Sequence, residues 1–297
     1  MAIFKTYEQI GIEENVSSLI TDITPSDTPL YSAIKSEKVH NRVYQYQTDA
    51  LPSAGANAQL EGFTASAGTI QPTTMISGNT QVMSKVFEIS KSSDAVSTYG
   101  RASETAYALA RHLKMLKRDI EYAYVGADNA TVTGDATTAR EMPSVSQLIS
   151  STTTVDAGSG STDALTEAKL TTLMQTCYNE GAEPSVMMVK PADSLIIAGF
   201  TGSSGRTREF NDGNTTLTNV VDLYVSPFGQ YTVQLNRHLM STHLFLLDPT
   251  MWRSAVLRPV TRTALAIEGD SQRHMLVYEG GLMHKNPKGS GQINGLS

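Results

Sequence analysis

Six histidines, one cysteine and a short glycine-rich run are the residues of this chain best suited to chemistry. A helical zinc site would set two histidines four residues apart with a glutamate close by. His40, His112, His238, His243, His274 and His284 contain no such pair. His238 and His243 lie near an expected strand boundary, and five residues apart they point to opposite faces of a straight strand. All six read as surface histidines or as histidines satisfied inside the fold. Cys177 falls on the apolar stripe of an expected helix, where a lone thiol behaves as a small hydrophobe. The run GSSGR at 202–206 would need to open a helix to cradle a phosphate, and it follows one instead. No Walker-type loop, dinucleotide fingerprint or nucleophile elbow occurs. Aspartate and glutamate number 29, but spacing alone nominates no acid–base pair. The sequence therefore assigns no catalytic, cofactor-binding or metal-ligating residue, and it calls for no cofactor. That removes the usual reasons for proposing an enzyme.

The charges that do stand out lie where catalysis would not put them. Arg258, Glu268, Asp270 and Glu279 interrupt the strand-like text from Leu257 to Leu296, which has the turn signals of a terminal hairpin. The 297-residue chain is 40% hydrophobic and 18% charged, slightly below the averages for globular domains, with Ser, Thr and Gly filling the difference. A net charge of −6 argues against a basic surface over the whole molecule and leaves room for a local basic strip. With one cysteine, no intrachain disulfide can form. The first residues lack the apolar core of a secretion signal, and no apolar run is long enough to span a bilayer. These features lead to the expectation of a soluble protein made in a cytoplasm, with no membrane partner.

The elements that must position these charges can be read along the chain. Residues 1–36 form an arm, with apolar residues at helical spacing from Ile10 to Ile23 and then Pro25 and Pro29. Residues 37–90 read as two strand-like arms around a centre of small residues, "PSAGANAQLEGFTASAGTIQPTT". Such a ribbon has little to bury on itself and is expected to project and dock on another subunit. Ala102, Ala106, Leu109, Leu113, Leu116, Ile120 and Ala123 recur at spacings of three and four, predicting a long helix over 101–125 that Gly126 stops. Arg111, Lys114 and Arg118 fall on another of its faces. A second helix starts at the N-cap Thr166, with Leu170, Leu173, Met174 and Cys177 as its stripe. A buried strand follows over "SVMMVK", then a short helix led by Pro191, a hairpin turning at Ser226-Pro227-Phe228-Gly229, and the strand "THLFLLD". Residues 163–255 thus read as an α+β subdomain.

Taken in order, "YQYQTDAL…NAQLEGF", "EISKSSDAVSTYGRASETAYALARHLKMLKRDIEYAYVG", "PSVMMVKPADSLIIAGF", "SPFGQYTVQLNRHL" and "LRPVTRTALAIEGDSQRHMLVYEGGLMHKNPKGSG" resemble the major capsid proteins of tailed bacteriophages, in the branch without a built-in scaffolding domain. The resemblance implies the α+β Hong Kong ninety-seven-type fold. It implies an N-terminal arm (1–36), an extended loop (37–90) and a peripheral domain (91–162) with the spine helix at 101–125. It also implies an axial domain (163–255) and return strands of the peripheral domain (256–297). The chain would then be a homo-oligomer, its hexamers and pentamers closing an icosahedral head around double-stranded DNA held without sequence preference. Scaffolding, portal and decoration proteins would be separate partners. The virion would be its location, reached by assembly in the host cytoplasm. The terminal strands lie under a neighbour's loop in that family. Glu61 at the loop tip is therefore expected to pair with an arginine of the adjacent subunit, Arg258 first and Arg262 second, with Glu268 and Asp270 on the same surface. Another phage structural protein, a nanocompartment shell of the same fold and a motif-free hydrolase are the alternatives.

Overall fold

The computed structural model describes residues 27–51, 54–64, 68, 70–96, 103–158, 162–203 and 223–297. The expected arm helix before Asp27, residues 204–206 of the GSSGR run and the first two residues of the expected spine lie outside them.

Two sheets and one long helix organise the chain. The first sheet has four strands in the order β1 (Lys35–Lys38), β10 (Trp252–Ala264), β11 (Ser271–His284) and β4 (Gln81–Ser90). Its centre is the antiparallel β10–β11 hairpin, the charged ending of the sequence. β11 pairs with β4 along ten residues, from Ser271↔Ser90 to Gly280↔Gln81. β1 adds a parallel edge, Lys35↔Arg253 to Lys38↔Val256. It is tied in by the preceding α1 (Pro29–Ala33), whose Leu30 is buried.

The spine helix is α3 (Glu104–Glu121), packed on β4. Its start is doubly capped. Ser103 Oγ accepts from the amide of Ala106 at 3.3 Å. Asp94, in the one-turn α2 (Lys91–Ala95), accepts from Ser103 Oγ at 3.2 Å and from the amide of Thr105 at 3.1 Å. These donors, the Thr105 amide foremost, hold the exposed Asp94 carboxyl below its usual pKa. The helix ends in a π-turn, Tyr122–Gly126, where the Tyr122 ring and the carbonyl of His238 crowd the glycine so closely that a side chain there would collide. Of the expected stripe, Leu116, Ile120 and Ala123 are buried, Leu109 and Leu113 are half-buried against the core, and Ala106 is exposed. Burial deepens toward the C-terminal half because β11, α1 and α4 (Val145–Leu148) all meet there.

The second sheet runs β5 (Thr154–Asp156), β12 (Gly291–Asn294), β9 (Leu244–Leu247), β6 (Val186–Val189), β8 (Gly229–Leu235) and β7 (Leu223–Ser226). It carries α5 (Glu167–Asn179), with Thr166 Oγ1 as its N-cap, and α6 (Pro191–Ser203), which has proline in its first turn. The α5 stripe of Leu170, Leu173, Met174 and Cys177 is fully buried. Burial pushes the Cys177 thiol up to about 12, as expected of a core cysteine. Gly291 lets β12 approach α5, since a Cβ there would come within 2.9 Å of Leu173.

Two expected segments divide differently in space. Residues 81–90 of the expected loop are β4, a sheet strand with Met83 and Phe87 buried, so the projecting part runs only from β2 (Val43–Thr48) to β3 (Thr74–Asn79). The second sheet also reaches beyond residues 163–255, drawing β5 and β12 from either side. Both are three- or four-residue strands, too short to show a period in the sequence.

Candidate intersubunit surface

β2 and β3 pair antiparallel from Val43↔Asn79 to Thr48↔Thr74 and hold the root of the extended loop. Tyr44 locks this root to the terminal hairpin. Its ring lies between Gly78 and Gly281, where an added Cβ would come within 2.5 and 2.8 Å of it. Its hydroxyl donates to the carbonyl of Leu282 at 2.5 Å. Burial raises its pKa far out of the working range, so it stays a neutral donor.

Beside it lies an ionic knot. Glu279 is 4% exposed, and therefore not one of the surface charges that the hairpin was expected to present. Its carboxylate accepts from Arg258 Nε at 2.6 Å, from Arg140 Nη2 and from Thr80 Oγ1 at 3.3 Å. One buried acid thus ties β10, β11, the segment before α4 and the end of the loop root. Two arginines and a hydroxyl offset its desolvation, which an isolated pair would struggle to do.

A second buried acid fixes the spine. Glu121 accepts from the amides of Leu30 at 3.0 Å and Tyr31 at 2.8 Å, and from Asn236 Nδ2 at 2.7 Å. Burial raises its pKa against the pull of these donors. It joins α1, α3 and the end of β8, and so couples the two sheets.

From Leu51 to Thr73 the described residues form no strand and are exposed. At the tip, Leu60 to Phe63 make a turn closed by the Phe63 amide on the Leu60 carbonyl at 3.1 Å, with Gly62 at φ +81°. That φ favours glycine over any side chain with a Cβ. The turn presents Leu60, Glu61 and Phe63 to solvent. Leu51, Leu60, Phe63 and Ile70 are 92, 85, 59 and 93% exposed, more apolar surface than a polar ribbon was expected to carry.

The expected partner residues scatter over the hairpin. Arg258 is committed to Glu279. Arg262 is exposed and has no carboxylate partner among the described residues, its Nη2 lying 3.3 Å from His274 Nε2. Glu268 and Asp270 are at the β10–β11 turn, where Glu268 stands 4.0 Å from Arg273 and Asp270 stands 3.9 Å from Lys91. Within this chain, Glu61 meets none of them. Sequence reasoning missed Tyr44, Arg140 and Glu121. The adjacent glycines Gly280 and Gly281 inside a strand were the available sign that another group approaches closely there.

The histidines are structural where they are buried. His284 stacks on Trp252 at 4.0 Å between ring centroids and is pushed down to about 4 by burial. Trp252 Nε1 donates to Ser290 Oγ at 3.0 Å, and Ser290 stands 3.1 Å from His284 Nε2. The opposite ring nitrogen faces the Leu148 carbonyl at 3.3 Å. This chain of partners is complete with a neutral ring protonated on Nδ1, Ser290 Oγ accepting from Trp252 and donating to Nε2. Among the described residues, no group of three or more His, Cys, Asp or Glu could hold a metal ion. No helix among them is long and apolar enough to cross a membrane.

The family model described as SU10 major capsid protein matches residues 2–297. The major capsid protein of Escherichia phage Phieco32 is 27% identical over 338 residues, covering 98% of this chain and 96% of that protein. Among solved structures, the capsid of a native GTA particle superposes with a TM-score of 0.66 at 10% identity, covering 98% of each chain. The holo-SrpI encapsulin of Synechococcus elongatus superposes at 0.64 and 9% identity, covering 100% of this chain and 97% of that one. The fold is the Hong Kong ninety-seven-type capsid fold.

Proposed function

Because this chain belongs to the SU10 major capsid protein family, we propose that it tiles an icosahedral phage head as hexamers and pentamers around double-stranded DNA. It is a major capsid protein of a phage, its place is the virion, and it works by assembling with copies of itself. Its role is structural rather than catalytic. Assembly takes place in the host cytoplasm, with scaffolding, portal and decoration proteins supplied as separate chains.

One observation carries this reading beyond the family match. The loop has a root locked to the terminal hairpin and an apolar tip that none of the described residues covers. Burying Leu60, Phe63 and Ile70 on a neighbour would supply the transfer free energy that the isolated chain forgoes. Negative-stain microscopy of the purified protein tests it. Closed shells, tubes or ring-shaped capsomers are expected, and a monodisperse monomer under all assembly conditions contradicts it.

The charges refine the docking. Glu61 pairs with an arginine of the adjacent subunit. Arg262 takes first place over Arg258, because taking Arg258 would strip a buried carboxylate of one of its cations. Glu268 and Asp270 line the same surface as rim charges, worth ~0–1 kcal/mol each. Glu61→Arg should misdirect assembly while the monomer still folds, and Arg262→Glu in the same chain should restore part of it. Normal heads from the single reversal would remove Glu61 from the interface.

A further inference from the structure

On α3, at about 100° per residue, Leu116 and Ile120 mark the buried side. Arg111, Lys114 and Arg118 fall on the opposite side, at spacings of three and four. Arg111 and Lys114 are exposed and Arg118 is half-buried. None of the three has a carboxylate partner among the described residues. Between Thr105 and Ile120 the helix holds a single acid, Asp119, and that acid is committed to Lys85 at 2.5 Å. Tyr122, 55% exposed, continues the same face one turn on.

The fold does not account for this strip. The helix dipole favours a cation at Arg118, in the last turn, but not at Arg111 or Lys114 in the middle. Arg140, Arg258 and Arg273, by contrast, are each paired with a carboxylate, Glu279 or Glu88. Three unpaired cations in a row repel one another, and a polyanion outside the chain would relieve that.

We infer that the Arg111–Lys114–Arg118 face of the spine helix contacts the phosphates of duplex DNA on the inner wall of the shell. The inference rests on the shell reading above. Seven residues of helix span about 10 Å, and one strand of the duplex carries about three phosphates over that length. The other side of the helix is packed on β4, so the strip meets the DNA backbone without entering a groove and reads no sequence. Three charges per subunit make a weak contact, repeated over the wall. It screens the packed DNA and releases it readily on ejection.

The test is the full-length triple variant Arg111→Gln, Lys114→Gln, Arg118→Gln, all three replaced by a good helix former. Unassembled protein is titrated with a 30-base-pair duplex by fluorescence anisotropy from 50 to 200 mM NaCl, and shells are checked by negative stain. The wild type should bind with a salt slope of about −2.7 per bound subunit, about a 40-fold loss across that range. The variant should form normal particles, bind at least about tenfold more weakly at 50 mM and lose nearly all the slope. Normal particles with unchanged DNA binding overturn the strip and leave the shell reading standing. A folded variant that forms no particles overturns it too, by making the strip a subunit contact. Binding of poly-glutamate but not of duplex DNA overturns it in favour of an acidic protein segment. A wild type that forms no particles of any kind sinks the shell reading, and this inference with it.

Discussion

At the root of the extended loop, Tyr44 is 6% exposed, wedged between two glycines and hydrogen-bonded to the terminal hairpin. At the tip, Leu60 is 85% exposed and a single turn hydrogen bond, Phe63 to Leu60, orders the backbone around it. The two ends obey different requirements. The root meets the demands of a folded interior by close packing and paired charge. The tip leaves apolar side chains in water, at a cost that burial on a neighbour would offset. On the docking proposed above, a chain built this way completes part of its core by assembling.

Breaking the root should do the greatest damage to the isolated chain. Glu279→Ala leaves Arg140 and Arg258 without their shared acid and should cost about 3–5 kcal/mol, the range for one partner lost from a buried ion pair. Urea unfolding of the unassembled protein measures it, and a loss under about 1 kcal/mol would show the knot to be dispensable.

The spine sets the next scale. Leu116→Ala should cost about 2–5 kcal/mol, whereas the half-buried Leu113→Ala should cost about 1–2. Equal losses would mean that the buried face of α3 is centred elsewhere.

The His284 ring gives a pH signature of similar size. Its pKa falls from 6.5 to about 4 on folding, so the unfolded chain binds a proton in that window and the folded chain does not. Stability from this group is fully present above pH 6.5 and declines as pH falls toward 4, by about 3 kcal/mol in all. His284→Gln should flatten this part of the stability–pH curve, and an unchanged curve would assign it to other groups. Glu121 works the other way, since its raised pKa favours the folded state below the carboxylate range.

The smallest effect on folding belongs to the tip. Leu60→Ser and Phe63→Ser should change the stability of the unassembled chain by no more than about 0.5 kcal/mol and yet reduce the yield of particles. A clear loss of monomer stability would mean that the tip packs on its own chain and that the contrast with the root is false.

The same contrast explains what the sequence disclosed. Periodic elements were legible: the α3 and α5 stripes, the Thr166 cap, the Pro191 start and the Ser226–Gly229 turn all follow from local spacing and capping chemistry. The short strands β5 and β12 were not, because their place is set by neighbours far along the chain, Asn294 beside Asp156 and Ile293 beside Leu244. Glu279 was misread for a similar reason. Its alternation marks it as a strand charge, and nothing local reveals that Arg140, 139 residues away, arrives to bury it. For Glu61 the sequence shows an acid at a glycine turn, and the partner we propose for it belongs to another copy of the chain.

Hydrogen exchange compared between the unassembled protein and assembled shells tests most directly whether the tip is finished by a neighbour. The amides of residues 54–64 should exchange at nearly unprotected rates in the unassembled chain, apart from the turn amide of Phe63, and slow by at least about a hundredfold in shells, as for local openings of about 3 kcal/mol. Equal protection of that segment in both states, whether fast or slow, would contradict the account.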